Sequence, residues 1–501
     1  MGQALHYDIC IVGSGAAGSF VAHALKNSDL KVCLIETGDE RVDSSTEPFI
    51  SHIQAEQQTK LAQGFSRQLG GSTNLWAGRV APFEAHDFEG WPFPLDELIP
   101  FYNRASEIMG VPPYAYFTDK KDVPAQDSGL THFLTRLKKS DTDEKRFVWS
   151  TPPFNARTAL LEEIKNGQCH NITLRMNMQV KSLAHENGHV TALACINENG
   201  EEESLTAKRF VLAAGGIETP RLLLNSDNLG NAHDQVGRYL STHPKADMGV
   251  MLLKKRIGLS HPYLTDMDFE GLSLRFGLGL PEEKLKQVKL NHYVQITPLL
   301  EYTASNLFEK VKNSSPVNAK LINKNKVMSG FLPGLGLLIF EIIGRIAKLQ
   351  PKSKKFILRA FLDQFPDADN RITLDNETDK NGMKKARLDW RFTDQDKASV
   401  LAFFDALDAE IRKNDLGHLE YSKLREIKDW PMVALHSHFM GTTRMGENPE
   451  VSVTDAQGKV HGVDNLYIAG PSLFPTYGYA NPVYTIAALS LRLGELLKRT
   501  T

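Results

Sequence analysis

Three glycines and one glutamate near the start of the sequence have the types and spacing of a dinucleotide site. Gly13, Gly15 and Gly18 form the pattern GxGxxG, and Glu36 follows them. In such a site the first glycine permits a tight turn, the second lets the backbone approach a pyrophosphate, and the third lets a helix pack closely on a sheet. The positive amino end of that helix favours the phosphate charge. The Glu36 carboxylate can accept hydrogen bonds from ribose hydroxyls and would repel a 2′-phosphate, which disfavours NADP.

The predicted elements around the glycines decide whether the GxGxxG pattern indicates a dinucleotide site. With 37 glycines in 501 residues, GxGxxG is expected about 0.2 times by chance. Residues 7–12 predict a buried strand, residues 19–27 a helix, and residues 31–36 a second buried strand that ends at Glu36. Together these elements form a βαβ unit. The alternative is that the glycines serve only the turn and the packing of the helix, with no bound ligand. The βαβ unit by itself does not show whether the ligand is FAD or NAD.

Composition excludes several classes of protein. Lys and Arg total 58 against 60 Asp and Glu, so the net charge of −2 argues against a nucleic-acid partner bound through bulk charge. The four cysteines form no CxxC pair, so we expect neither a disulfide scaffold nor a metal site, and a cytoplasmic, reducing location fits. Residues 1–6 are mostly polar and predict no signal peptide. An uninterrupted apolar run of about 20 residues is lacking, so we expect no transmembrane helix.

Further along the chain, hydrophobic periodicity predicts the remaining elements. They are a β-meander over 172–214, a helix near 219–225, mostly strands over 245–300, an amphipathic helix with an aspartate cap over 394–412, a strand at 465–470 and a helix over 482–497.

Five stretches carry a resemblance to a known family. They are GGSTNLWAG at 70–78 with a Gly-Trp-Pro turn at 90–92, FVLAAGGIETPRLLLNS at 210–226, VGRYLSTHP at 236–244, HSHFMGTTRMG at 436–446, and the run from Val460 to Arg492. In order and spacing they resemble the glucose–methanol–choline (GMC) family of FAD-dependent oxidoreductases. The sequences STNLWAG and YANPVYTIAALSLR are similar to those of the gluconate/fructose dehydrogenase and pyranose oxidase branch. Residues 245–430 carry only weak likeness.

The resemblance and the βαβ unit together imply an α/β (α+β) protein with two domains. A Rossmann-like FAD-binding domain is expected to be discontinuous, and a substrate-binding domain is expected to be built on an antiparallel sheet. The first comprises residues 1–80, 155–230 and 440–501. The second comprises residues 81–154 and 231–439, with a basic and apolar insertion at about 305–360.

Small residues are predicted to surround the cofactor. The loop 70–78 can press its backbone on a flat ring and reach a polar edge or phosphate with its hydroxyls. At 213–220 a small-residue strand end is followed by Thr219 as a helix cap and Pro220 at the first helical position, and a pure packing role is the alternative there. The predicted cofactor contacts are Gly13, Ser14, Gly15, Ala16, Ala17, Gly18, Glu36, Gly70, Gly71, Ser72, Thr73, Asn74, Leu75, Trp76, Ala77, Val180, Ala214, Gly215, Gly470, Asn481 and Pro482.

The resemblance implies a catalytic pair. His438 stands three residues before Gly441, where the family has its catalytic histidine. Asn481 precedes Pro482, so it is expected just before the last helix, where its side chain would orient the alcohol oxygen. Asparagine cannot take a proton, so His438 would be the sole base, a role histidine suits near neutral pH. His436 could contact substrate, although an ordinary structural role is the stronger interpretation.

Two departures from the family pattern affect the cofactor. Some relatives hold the flavin covalently through a histidine in the glycine-rich loop, and Leu75 stands at that position here. FAD is therefore expected to be non-covalent. Gly470-Pro471-Ser472 lacks an acid that the family often has at this place. A polar contact from that acid to the flavin diphosphate or ribityl chain is therefore not expected here.

The predicted activity is oxidation of a CH–OH group on a sugar-like or polyol substrate, with loss of the hydroxyl proton to His438 and hydride transfer to flavin N5. The partner is thus a small-molecule or glycan alcohol, and the electron acceptor stays open among a quinone, a carrier protein and oxygen. An oxygen-using oxidase, a non-redox member like the hydroxynitrile lyases, and a pseudoenzyme are the alternatives.

Residues 305–360 are strongly basic. This segment contains eleven lysines and arginines but only two glutamates. It includes the apolar stretch 328–346, which Pro333 interrupts. This pattern favours a lid or an oligomer contact, and the alternative is a peripheral contact with an anionic membrane at its inner face.

Overall fold

A computed structural model describes residues 6–41, 49–54, 66–125, 127–299, 352–427, 430, 434–435 and 438–500. The predicted basic and apolar insertion lies outside the described residues up to position 351, and His436 lies outside them as well. Of the insertion, only residues 352–360 are described, and they belong to a strand.

The first sheet is built around the predicted βαβ unit. Its parallel strands lie in the order β6 (Ile172–Arg175), β2 (Val32–Ile35), β1 (His6–Val12), β9 (Glu202–Leu212) and β19 (Leu466–Ile468). This third-second-first order is that of a Rossmann-like sheet, so the predicted fold class is confirmed.

β9 also pairs antiparallel with β8 (His189–Ile196), which pairs with β7 (Gln179–Glu186). The predicted meander over 172–214 is therefore right for three strands and wrong for β6. That strand runs parallel to β2 instead, with Ile172 in register with Val32, and so covers one edge of the parallel sheet.

The second sheet is antiparallel and has nine strands among the described residues. They lie in the order β17 (Gly417–Glu420), β10 (Pro244–Gly258), β14 (Lys352–Phe361), β13 (Tyr293–Pro298), β12 (Leu272–Gly279), β5 (Asp143–Trp149) and β4 (Arg79–Val80), with β11 (Met267–Phe269) on β12 and β18 (Ala434–Leu435) on β10. This is the sheet expected for the substrate domain. Residues 79–80, which the sequence assigned to the FAD-binding domain, belong to it, and the domain boundaries themselves stay predictions.

A third, small sheet lies beside the Rossmann-like one. β16 (Lys384–Asp389) pairs antiparallel with β15 (Arg371–Thr378) and parallel with β3 (Ile50–Gln54). Arg221 is fully buried and donates to the Asp379 carboxylate at 2.7 Å and to the Lys384 carbonyl at 2.8 Å, which fixes the small sheet beside the Rossmann-like one.

The described helices surround these sheets. They are α1 (Ala16–Leu25), α2 (Ile99–Met109), α3 (Tyr114–Thr118), α4 (Ser128–Leu137), α5 (Glu162–Lys165), α6 (Gly215–Leu224), α7 (Glu282–Val288), α8 (Asp394–Lys413) and α9 (Val483–Thr500). Short 3₁₀ turns lie at Gly71–Asn74, Ala85–Phe88, Leu95–Glu97, Ser422–Arg425 and Pro471–Leu473, and a π turn lies at Arg157–Leu161. α9 packs so closely on α1 that a Cβ on Gly494 would lie 2.4 Å from that of Ala24. Within the described ranges no helix combines the length and the apolar character needed to cross a bilayer.

Two helix starts differ from the prediction. α6 begins at Gly215, so Thr219 does not cap it and Pro220 lies in its interior. Pro220 has no N–H to donate to the Gly216 carbonyl, and the Thr442 hydroxyl donates to that carbonyl instead, at 2.7 Å. The early start is therefore stabilised by a contact from far along the chain. α8 is capped by Thr393, whose side chain exchanges hydrogen bonds with Asp396, rather than by an aspartate.

Candidate active site

The glycine turn after β1 has the geometry that each glycine was predicted to permit. Gly13 has φ +103°, and a Cβ there would lie 2.7 Å from the Ala213 carbonyl oxygen. A Cβ on Gly18 would lie 1.9 Å from the Gly13 oxygen, so both positions are closed to any side chain. At Gly15, by contrast, a Cβ would meet nothing within 4 Å. Two of the glycines thus build the turn, and the third leaves backbone open at the amino end of α1, where a phosphate can approach.

Glu36 holds this turn from the end of β2. Its carboxylate accepts from the Ser14 N–H at 3.0 Å, the Ser14 hydroxyl at 2.6 Å and the Gly38 N–H at 3.0 Å. Burial raises the pKa of Glu36, and the bonds from Ser14 and Gly38 oppose that rise. An ionised carboxylate offers about four acceptor sites. Glu36 therefore organises the turn and keeps capacity for a further donor such as a ribose hydroxyl.

The glycine-rich loop packs directly on the turn. A Cβ on Gly71 would lie 2.8 Å from the Cα of Gly15, and the Gly70 N–H donates to the Ser14 hydroxyl at 3.2 Å. The Thr73 hydroxyl donates to the Gly70 carbonyl at 2.6 Å and accepts from the Ala156 N–H at 3.1 Å.

Asn74 likewise donates to the Leu69 and Gly71 carbonyls, at 3.0 and 2.8 Å. The side chains of Thr73 and Asn74, expected to reach a ligand, thus make their observed bonds within the loop and to its neighbours. The loop can therefore contact a ligand through its backbone and its small side chains.

An apolar and open surface lies beside these glycines. Leu75 is 50 % exposed and Ala77 is exposed, whereas the Trp76 indole is anchored to the Phe154 carbonyl at 2.6 Å. Gly215 has φ +82° with nothing within 4 Å of a Cβ. These features fit a flat, partly apolar ring joined to a diphosphate, which is the shape of FAD.

Three other predicted contact residues lie near this cradle. Gly470 has φ +122°, and a Cβ there would lie 3.5 Å from that of Ala17. Val180 is buried on β7, two residues after Met178, whose N–H donates to the Glu36 carbonyl at 3.0 Å. Ala214 immediately precedes α6 and is partly buried. Their contact with a cofactor stays a prediction.

His438 has a partner that sequence reasoning did not single out. Its Nδ1 lies 3.4 Å from Nδ1 of His243, and the two rings meet nearly at right angles, at 84°. His243 is buried, and its Nε2 lies 3.1 Å from the Tyr477 carbonyl oxygen. Burial lowers the pKa of His243 to about 4, so this ring is neutral at physiological pH. His243 was within reach of the sequence analysis, because it lies in the VGRYLSTHP stretch.

The segment before Asn481 is fixed from both sides. His243 bonds to Tyr477, and the Tyr479 hydroxyl donates to the Glu84 carboxylate at 2.9 Å. Asn481 itself is partly buried and lies just before α9, as predicted. His243 therefore contacts both His438 and the segment that leads to Asn481.

A buried charge cluster supports this segment from below. Lys145 is 1 % exposed, and its ammonium lies 2.5 Å from Glu84 and 3.1 Å from Asp143. Burial, together with the charge of Glu84, raises the pKa of Asp87 to about 6. A Cβ on Gly478 would lie 2.8 Å from the Asp87 carboxyl carbon. Residues 478 and 479 thus pack against the charge cluster formed by Lys145, Glu84, Asp143 and Asp87.

Substitution of Glu36 tests the cofactor cradle. Glu36→Gln should weaken FAD binding about 10- to 100-fold, because a charge-assisted hydrogen bond is lost from the cradle. Titration of the apoprotein with FAD, followed by quenching of flavin fluorescence, measures the change. Glu107→Gln, on an exposed position of α2, is the matched control. Equal affinity of Glu36→Gln and wild type would remove Glu36 from the cofactor site.

Comparison with known proteins agrees with this geometry. Residues 366–490 match the family described as GMC oxidoreductase, and residues 7–250 match that described as pyridine nucleotide-disulphide oxidoreductase. The chain is 24% identical to 2-methyl-1,2-propanediol dehydrogenase of Mycolicibacterium austroafricanum, over 98% of this chain and 95% of that one. It is 23% identical to the fructose dehydrogenase large subunit of Gluconobacter japonicus, over 99% and 98%. The crystal structure of pyridoxine 4-oxidase from Mesorbium loti superposes with a TM-score of 0.61 at 17% identity, covering 98% of this chain and 99% of that one.

The Rossmann-like sheet, its glycine turn and the acid after β2 define a dinucleotide-binding domain, and the matched families make the protein an oxidoreductase. Residues 366–490 match the GMC oxidoreductases, and the chain is an FAD-binding enzyme that acts on alcohol groups.

Proposed function

We propose that this enzyme oxidises a CH–OH group of a sugar-like or polyol substrate, with His438 as the base that removes the hydroxyl proton. The contact between His438 and His243 is the observation that carries the proposal. In this proposal Asn481 orients the alcohol oxygen. The names of the relatives, which include a diol and a fructose dehydrogenase, support the substrate class.

The hydrogen bonds of His243 determine which nitrogen of His438 is basic. A carbonyl can only accept, so Nε2 of His243 carries the proton that it donates to Tyr477. The ring is neutral, so its Nδ1 carries none and accepts from Nδ1–H of His438. That tautomer leaves Nε2 of His438 as the unprotonated nitrogen that takes a proton. His243 is therefore a positioning residue for His438.

The cradle described above would hold FAD through Gly15, Glu36, the loop 70–78 and Gly215. Bound FAD supplies the acceptor for the hydride that leaves the substrate carbon. The chain's own residues bind the diphosphate, exclude water with the apolar loop and place the base.

Leu75 predicts that FAD is held without a covalent bond. It has no nucleophilic atom, so acid precipitation of the yellow holoenzyme should release all of the flavin into the supernatant. Absorbance of the supernatant and the pellet near the flavin band measures the partition. Flavin retained in the washed pellet would show a covalent link at another residue.

The redox assignment is tested by anaerobic mixing of the holoenzyme with a panel of polyols and sugars. Bleaching of the flavin band supports oxidation of the alcohol. A substrate that is consumed without bleaching would instead identify a non-redox, hydroxynitrile-lyase-like member. Admission of oxygen after bleaching then separates an oxidase from a dehydrogenase that needs a quinone or a carrier protein.

Two further expectations belong to this proposal. The FAD-binding and substrate-binding domains are divided as the sequence indicates, except that residues 79–80 belong with the substrate-binding sheet. The insertion at 305–360, whose residues 352–360 belong to β14, contributes a lid or an oligomer contact over the substrate domain, or else a contact with an anionic membrane. Flotation with anionic vesicles at low and high salt separates these outcomes.

A further inference from the structure

We propose that the alcohol substrate carries an oxyanion group, a carboxylate or a phosphate, and that a cationic face of the antiparallel sheet binds it. The cationic face is formed by Arg79, Lys245, Arg275 and Arg359. This inference deepens the proposed function and rests on it for the reaction that the bound molecule undergoes.

Strand register places the four cations on one face of the sheet. Residues directly opposite each other in antiparallel strands project to the same side. Arg79 is opposite Trp149, and Arg275 is opposite Phe147, two residues earlier on the same strand.

The same face continues across the next strands. Phe361 is opposite both Tyr293 and Lys245, and Arg359 is opposite both Gln295 and Asp247. The Tyr293 and Phe361 rings stack with centroids 4.7 Å apart. The Arg79 guanidinium lies 3.7 Å from the Phe147 ring centroid and 5.4 Å from that of Phe361, so it extends across this face.

Aromatic contacts connect the cationic face with the candidate catalytic residues. The Tyr479 ring centroid lies 5.8 Å from that of Phe147 and 5.3 Å from that of Tyr293, and Tyr479 precedes Asn481 by two residues. Lys245 follows His243 by two residues, the interval at which a strand returns a side chain to the same side. The cationic face therefore packs against the segment that leads to Asn481 and continues the strand that follows His243.

The positive charge of the face is only partly compensated. Arg359 pairs with Asp247 at 2.7 and 3.0 Å, whereas Asp266, at 3.9 Å from Arg275, is largely exposed. Within the described part of the chain, the Lys245 ammonium contacts no acceptor. Burial, together with Arg359 and Arg79, lowers the pKa of Lys245 to about 8.

The guanidinium of Arg79 also keeps an unused donor. Its Nη2 donates to the Tyr293 hydroxyl at 3.0 Å, and the Gln295 amide, turned with its oxygen toward Arg79, accepts from both terminal nitrogens. Its Nε is buried and meets no hydrogen-bond acceptor among the described residues. Guanidinium and ammonium groups with spare donors beside a reaction centre favour a carboxylate or phosphate over a neutral polyol.

The anion site can be tested by binding, independently of turnover. Flavin difference spectra of the holoenzyme should respond to titration with acetate or with inorganic phosphate, and glycerol should give no comparable response. Lys245→Met should weaken the anion response about 10- to 100-fold, as loss of a charge-assisted hydrogen bond predicts, and Lys245→Arg should restore part of it. Lys354→Met, which removes an equal charge from an exposed position of β14, is the control and should bind like wild type.

Anaerobic reduction then identifies the substrate. Wild type should be reduced at least about tenfold faster, as kcat/KM, by acidic sugars or sugar phosphates than by the matched neutral sugars, and Lys245→Met should lose this ratio. Comparison of uronates with sugar phosphates separates the two sources of the oxyanion.

Anions that bind wild type and Lys245→Met equally, or no better than glycerol, would overturn the proposal. Lys245-dependent anion binding without reduction by any alcohol would keep the anion site and refute the proposed oxidation.

Discussion

His438→Ala should slow anaerobic reduction of the flavin about 100- to 10,000-fold, because removal of the hydroxyl proton loses its base. FAD should stay bound at wild-type occupancy, since the cradle around Gly15 and Glu36 is untouched. Stopped-flow bleaching with the best alcohol of the panel measures the rate. Asn481→Ala should lose less, because Asn481 orients the alcohol and takes no proton.

A second variant separates proton removal from positioning. His438→Asn keeps a hydrogen-bonding side chain of similar reach without a basic nitrogen, so it should be as slow as His438→Ala. His233→Ala, at an exposed histidine, is the matched control. Reduction of His438→Ala at the wild-type rate would exclude His438 as the base.

Lys145→Met should lower the free energy of unfolding by about 3 kcal/mol, because it removes the buried cation paired with the partly buried Glu84, whereas Asp143 keeps Lys120 at 2.6 Å. Burial alone would lower the pKa of Lys145, but Glu84 and Asp143 raise it above its ordinary value, so the group is charged in the folded protein. Thermal and denaturant unfolding of the holoenzyme measure the loss.

The matched control for Lys145 is an exposed pair of the same chemistry. Lys138→Met breaks the Lys138–Asp122 pair, whose side chains are 58% and 69% exposed, and should change stability by about 1 kcal/mol or less. Adding Glu84→Gln to Lys145→Met should recover part of the loss, since the unpaired charge is removed while Tyr479 keeps an acceptor. Equal stability of Lys145→Met and Lys138→Met would show that the buried cluster contributes little.

Local patterns in the sequence were sufficient to predict the Rossmann-like unit. The glycine spacing, two short apolar strands and Glu36 lie within thirty-odd consecutive residues, and each has a role that depends on its neighbours alone. The antiparallel sheet was predicted from the resemblance to a known family, and most of its strands lie within residues 79–361, outside the stretch 366–490 that matches the family. The start of α6 was predicted wrongly, because the hydrogen bond that stabilises it comes from Thr442.

Residues that act through distant partners could not be predicted in the same way. His243 lies in the VGRYLSTHP stretch but is one of 16 histidines, and its role is evident only from its 3.4 Å approach to His438, 195 positions away. Arg79 and Lys245 have no local pattern, and strand register alone brings them to one face. Lys145 looks like an ordinary strand residue until Glu84 is placed beside it.

The position of β9 between β1 and β19 sets the order in which a newly made chain can assemble. β19 contributes residues 466–468 to a sheet whose first strand ends at Val12. Residues 213–465 separate this edge of β9 from β19, and at about 5–20 residues per second their synthesis takes on the order of 10 to 50 seconds. Throughout that time the edge formed by Phe210, Val211 and Leu212 lacks its final partner and can pair with another nascent chain. Chaperone demand and losses to aggregation should therefore depend on how quickly the ribosome delivers β19.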